Sequence, residues 1–187
     1  KVDGNGQPVA NQFTVTVPAD LPIGQYDVRI AGLYGLSNPR TFVVGDRPEV
    51  AEIEPNNEVA KAQVMALNSV VNGRSDGGTD LDHFKVTLKA GERILFDCRA
   101  RRMDSRMAPV MDLLDGTGRK LITARRNARQ DAILDYTATA DGDYFLRLYD
   151  SVYGGFLIDA PVPEVRRLYT TSHIVVYPAA LVAAITL

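Results

Sequence analysis

Apolar and polar residues alternate with a period of two along most of this chain, and a sustained 3.6-residue period is nearly absent. Phe13-Thr14-Val15-Thr16-Val17 alternates cleanly and stops at Pro18. In the next run Tyr26, Val28 and Ile30 share a face, and Thr41-Phe42-Val43-Val44 is a third strand closed by Gly45-Asp46. The links between them, 19–25 and 31–40, carry Pro and Gly turn signals. Three short strands joined this way predict part of a small Ig-like β module over residues 1–46. That length is too small for a complete sandwich, so its remaining strands are expected upstream of Lys1. An acidic linker, 47–58, follows, and then the one predicted helix, Glu58 to Leu67.

A second strand series begins at Ser69–Asn72. Phe84, Val86 and Leu88 alternate with His83, Lys85, Thr87 and Lys89, which puts His83 on a solvent-facing side. Ile94, Phe96, Cys98 and Ala100 oppose Arg93, Asp97, Arg99 and Arg101. Val110–Leu114 and Lys120–Ala124 flank Asp115-Gly116-Thr117-Gly118 as a hairpin. Ala132–Thr137 and a run with Tyr144, Leu146 and Leu148 on one face complete the legible strands. The spacing predicts an all-β fold, an antiparallel β-sandwich of jelly-roll type over 59–171, flanked by partial Ig-like modules. Its core is expected to hold Phe84, Val86, Leu88, Ile94, Phe96, Cys98, Met111, Leu113, Tyr144, Leu146 and Leu148. Pro161 and Pro163 obscure 151–168, Arg167–Thr171 is the expected closing strand, and 172–187 is expected to open a following β module.

Composition refines this picture little. Of 187 residues, 45% are hydrophobic and 24% charged, as in ordinary globular chains. The net charge of −2 excludes a global basic field, and aromatic residues are not interleaved with the arginines, so nucleic acid is not an expected partner. The apolar stretch 173–187 is too short to span a bilayer. The one cysteine, Cys98, forms no internal disulfide and reads as a core residue. The 2 histidines, His83 and His173, lie far apart, and no nucleophile elbow occurs, so no catalytic constellation is expected. The Arg99, Arg101, Arg102 and Arg106 cluster, which Arg125, Arg126 and Arg129 would extend, is interleaved with Asp97, Asp104, Asp112, Asp131 and Asp135. Pairing with these carboxylates is its expected use.

The most specific feature is a series of landmarks in order. Glu52-Ile53-Glu54-Pro55-Asn56-Asn57 comes first, then Ser75-Asp76-Gly77-Gly78-Thr79-Asp80-Leu81-Asp82-His83-Phe84. Leu113-Leu114-Asp115-Gly116-Thr117-Gly118 and Ala140-Asp141-Gly142-Asp143-Tyr144-Phe145-Leu146 follow. Together they resemble the bacterial pre-peptidase C-terminal (PPC) domain, over about residues 50–150. The stretches 98–106 and 35–45, with Gly35-Leu36-Ser37-Asn38-Pro39-Arg40, look like the variant in secreted proteins of planctomycete-type bacteria, where an Ig-like (IPT/TIG-like) module precedes the PPC domain. The resemblance implies an exported, non-catalytic β-sandwich, placed outside the cell, on its surface or in the periplasm.

PPC domains are also similar to the collagen-binding domains of clostridial collagenases, which bind calcium through a lead-in segment and a first strand. Carried over residue by residue, that site is Glu52, Glu54, Asn56, Asn57, Asp80 and Asp82, with Asp76 and Ser75 as further ligands. The chemistry suits the residues: calcium takes six to eight oxygens, and Glu52, Glu54 and Asn56 share a side of an extended segment. The same residues read equally well as helix caps and turn formers, and the sequence does not choose between calcium and capping. Tyr149 and Tyr153, beside Gly154-Gly155, are candidates for an aromatic strip that meets a protein or polysaccharide ligand. Tyr144 belongs to the core. The expected function is structural, adhesive or ligand-binding, with protein or polysaccharide ligands or neighbouring domains of the same polypeptide as partners. The rival readings are an accessory substrate-binding domain of a secreted peptidase or other hydrolase, and a carbohydrate-binding module.

Overall fold

The computed structural model describes residues 3–7, 16–75, 80–127, 130–151 and 171–178, the last of these by backbone pairing alone. Strands β1 (Gly24–Val28), β2 (Ala31–Gly32), β3 (Gly35–Leu36) and β4 (Arg40–Val44) form the N-terminal part. They make two antiparallel ribbons, β1 with β4 and β2 with β3. The predicted strand Phe13–Val17 lies mostly outside the described residues. Strands β5 (Glu49–Ala51), β6 (Gln63–Val64), β7 (Val70–Arg74), β8 (Asp82–Leu88) and β9 (Arg93–Arg99) follow. Then come β10 (Pro109–Leu114), β11 (Lys120–Arg125), β12 (Ile133–Thr137), β13 (Gly142–Asp150) and β14 (Thr171–Pro178).

These later strands build an all-β sandwich of two 5-stranded sheets, ordered β11-β10-β13-β8-β6 and β12-β9-β14-β7-β5. Pairing is antiparallel except at one edge of each sheet, where β6 runs parallel to β8 and β5 parallel to β7. Every predicted core residue, from Phe84 to Leu148, belongs to one buried cluster between the sheets. Met65, Val71, Ala100, Met107, Ala132, Leu134 and Ala138 complete it. The period-2 pattern explains this directly: Phe84, Leu146 and Leu113 occupy one cross-strand row, and slipping any strand by one residue would turn its apolar set outward. Burial also pushes the Cys98 thiol up, so it stays a neutral core group.

The structure departs from the sequence reading in three places. The predicted linker is partly a strand: β5 pairs with β7, and Glu52 N–H continues the contact to Asn72 O at 2.9 Å. The predicted helix at Glu58–Leu67 is a single 3-10 turn, Val59–Lys61, followed by β6. A ten-residue helix gains little by itself, whereas this segment finds stronger partners. Gln63 accepts from Ile53 N–H at 2.8 Å and donates to Ala51 O at 3.1 Å, and Met65 N–H reaches Lys85 O. Finally, Thr171–Pro178 does not open a following module. It pairs with β9 on one side and β7 on the other, inside the second sheet. An apolar run such as Ile174-Val175-Val176 looks the same in sequence whether it starts a new sheet or fills the middle of an existing one. Among the described residues, no helix is long and apolar enough to cross a membrane.

Phe96 is fully buried between the sheets. Phe96→Ala is expected to lower unfolding free energy by about 3–5 kcal/mol, read from urea midpoints at constant slope. Tyr34→Ala, at a side chain that is 101% exposed, should stay within about 0.5 kcal/mol.

Candidate functional site

The lead-in segment after β5 crosses the seam where β7 ends and β8 begins. Glu52 turns toward the sandwich because it finds a backbone donor there, and Asn56 within the segment supplies donors to both Glu52 and Glu54. Glu52 Oε2 accepts the Arg74 N–H at 2.9 Å, and Oε1 accepts Asn56 Nδ2–H at 2.9 Å. Glu54 Oε2 accepts the Asn56 N–H at 3.0 Å. The Asn56 carbonyl in turn accepts the His83 N–H at 3.1 Å. Asp82, the first residue of β8, is buried against this segment. One carboxylate oxygen from each of Glu52, Glu54 and Asp82 lies within 4.8 Å of the others.

Three of the six predicted ligands are thus brought together, and Asn56 joins them through Glu52 and Glu54. Asp80 is half-buried, and its charge acts on both Glu52 and Asp82. Asn57 is exposed and makes no hydrogen bond in the cluster. Ser75 is buried at the end of β7, and Asp76 lies outside the described residues. The capping alternative fails for Asn56 and Asn57: the 3-10 turn begins at Glu58 with no side-chain cap. The site also recruits residues that sequence reasoning missed. Gly73 is one, since a Cβ there would lie 2.8 Å from Glu52 Oε2; only a bare backbone lets the carboxylate lie down on β7. His83 is another. Instead of facing solvent it is 4% exposed, with Nδ1 at 3.2 Å from Asn56 O and 3.0 Å from Leu81 O. Two carbonyl acceptors require the proton on Nδ1, and burial holds the ring's pKa below the usual histidine range. The signal for His83 was its place beside Asp82; for Gly73 it was a glycine ending a Val-Val-Asn strand.

The electrostatics are one-sided. Burial, then the charges of Glu52, Asp80 and Glu54, pushes the Asp82 carboxyl up to about 9. Burial likewise raises Glu52, against the donors Arg74 N–H and Asn56. Two buried acceptor oxygens, Asn56 Oδ1 and Asp82 Oδ1, make no hydrogen bond. Orphaned buried oxygens are rare because each forfeits its hydration.

No protein-family model matches the chain, and no curated protein matches it either. Among solved structures, it is similar to the pre-peptidase C-terminal domain of collagenase from Bacillus anthracis. The identity is 16%, over 71% of this chain and 99% of that one, with a TM-score of 0.45. It is also similar to Aeromonas hydrophila PliG, a periplasmic lysozyme inhibitor of g-type lysozyme. There the identity is 14%, over 70% of this chain and 95% of that one, with a TM-score of 0.40.

The other candidates resolve differently. Two of the clustered arginines pair with carboxylates: Arg99 meets Asp97 at 3.1 Å, and Arg102 bridges Asp97 and Asp131, while Arg129 lies outside the described residues. Asp131 also accepts the N–H groups of Ala100, Arg101 and Arg102, which fixes the 3-10 turn Arg101–Met103. Tyr144 is in the core, its hydroxyl donating to Ala140 O at 2.9 Å. Tyr149 is half-buried on β13, with the Arg147 guanidinium 5.9 Å from its ring centre. Tyr153 lies outside the described residues.

The raised Asp82 pKa has a defined consequence. Its folded value, about 9, exceeds the ordinary 3.8, so between those values the native state holds a proton that the unfolded chain has lost. Stability in chelator is therefore fully present below pH 4 as far as this group is concerned. It falls as pH rises toward 9, by at most about 1.4 kcal/mol per unit. Urea unfolding from pH 5 to pH 8 measures it, and Asp82→Asn should flatten the slope.

Proposed function

We propose that this chain is a non-catalytic β-sandwich module of an exported protein, and that a calcium ion at the seam ties its lead-in segment to the sandwich. One observation carries the reading. Three carboxylates meet within 4.8 Å, Asp82 buried, Glu52 half-buried and Glu54 exposed, beside two buried oxygens that accept no hydrogen bond. Such an arrangement is costly as it stands and becomes favourable around a divalent cation.

The donor set fits the ion. Glu52, Glu54 and Asp82 would hold it, with Asn56 Oδ1 as an amide oxygen and Asp80 close enough to add charge. All are hard oxygen donors, the class that suits calcium and not zinc. When bound, the ion supplies positive charge that replaces the proton on Asp82. Gly73 keeps room for Glu52, and His83 anchors the Asn56 carbonyl, so the donors are held before the ion arrives. The sequence landmarks shared with PPC domains support an exported, accessory role. The use of His83, whose Nδ1 is committed to backbone carbonyls rather than to a carboxylate, supports the non-catalytic part of the reading.

The test is thermal melting of the full chain in millimolar calcium and in chelator. Extracellular modules bind calcium at about 10⁻⁴–10⁻³ M. Millimolar calcium, about 10 times the tighter of these constants, adds roughly 1.4 kcal/mol, a rise of about 3–6 °C. Asp82→Asn separates the two states by sign. In chelator it should melt at or above the wild-type temperature, because the native state no longer has to take up a proton at this position on folding. In calcium it should melt below wild type. Glu54→Ala should lose most of the calcium response, while Asp115→Ala, in the β10–β11 turn, should keep it. Identical wild-type melts with and without calcium would refute the site.

A further inference from the structure

Two residues away from the seam adopt a backbone conformation that glycine would take without strain. Asn68 and Asp104 have φ of 60° and 61°, and among the described residues they are the non-glycine positions with positive φ. A side chain in this region crowds its own backbone, although Asn and Asp tolerate it better than other residues. Asn68 sits in the turn before β7, and Asp104 ends the 3-10 turn Arg101–Met103. They are far apart in sequence, yet both side chains face the same neighbour. Asp104 Oδ2 accepts the Thr41 N–H of β4 at 2.7 Å. Asn68 Oδ1 accepts Arg47 Nε–H at 3.0 Å, just beyond the end of β4. Among the described residues, neither side chain hydrogen-bonds within the sandwich. Between the two contacts, Val43, Gly45 and Arg47 meet Val70, Arg99 and Met103 across a small cleft, and Pro48 O accepts the Val70 N–H at 2.9 Å.

We propose that Asn68 and Asp104 form a two-point docking surface on the sandwich that latches the N-terminal β segment, residues 24–48, at a fixed orientation. A turn that served the sandwich alone would be built more favourably with glycine at both positions. The side chains are kept in a strained conformation because that conformation aims an acceptor out of the sandwich, at a donor in the preceding segment. The two acceptors differ in kind. Asp104 captures a backbone amide and so fixes β4 whatever side chains β4 carries, whereas Asn68 reads the arginine at position 47. This latch is separate from the seam: it grips residues 41–47, while the carboxylate cluster grips 52–56, so either can be broken without the other.

Amide hydrogen exchange and small-angle scattering of the full chain test the latch. In Asp104→Gly the Thr41 amide should exchange about tenfold faster, the loss of one hydrogen bond. Asp104→Asn, which keeps an acceptor oxygen, should retain most of the protection. In the Asn68→Gly, Asp104→Gly double variant the maximum dimension in scattering should grow. The Cys98 amide, bonded to Ala132 O inside the sandwich, should keep its protection, and the sandwich should melt at or above the wild-type temperature. Unchanged Thr41 exchange and unchanged dimensions in the double variant would overturn the proposal. A lower melting temperature in both single glycine variants would also overturn it, because the side chains would then be serving the sandwich.

Discussion

The constraint on which the molecule turns is the burial of negative charge at the seam between the two sheets. Glu52 follows the strand that joins the edge of one sheet, and Asp82 begins a strand of the other. Where the lead-in segment runs, and why β7 carries a glycine at position 73, both follow from accommodating these carboxylates beside Glu54 and Asn56. The hydrophobic core holds the sheets face to face, but it says nothing about how the chain enters the sandwich; the seam decides that.

Other buried carboxylates in the same molecule show what compensation looks like. Burial pushes Asp112 and Asp131 upward too, yet both are held below the usual carboxylate range. Arg147 and Thr123 do this for Asp112, and for Asp131 it is the backbone N–H groups of residues 100–102 with the Arg102 side chain. Asp112 is bonded to Arg147 at 2.6 Å, with Lys120 nearby. Glu52 and Asp82 are shifted the opposite way. One fold thus contains both solutions, arginine pairing on the sheets and an uncompensated cluster at the seam. The contrast supports the proposal that the seam binds a cation, where the sheets carry ion pairs.

Much of this was legible in the sequence, for a physical reason. Strands whose two faces differ in polarity announce their register, so the inward set on β8, β9, β10 and β13 could be read directly. The grouping of Glu52, Glu54 and Asn56 was legible because an extended segment sends alternate side chains the same way. What stayed hidden depends on contacts between distant segments. The apolar run at 174–176 carries no mark of the sheet it joins. The helix expected at 58–67 gave way to Gln63 bonding Ile53 and Ala51. His83 looked solvent-facing by alternation, but the lead-in segment covers it, and Asn57 lies one residue out of phase with the cluster.

The central claim, that a cation takes the place of a proton among the seam carboxylates, has a direct readout. Calcium titration calorimetry at pH 7, repeated in buffers of different ionisation enthalpy, counts the protons released on binding. Because Asp82 holds its proton up to about pH 9 in the ion-free protein, the account predicts release of about one proton per calcium bound, and none in Asp82→Asn. Calcium binding at the same heat in every buffer, or no binding heat at all, would contradict it.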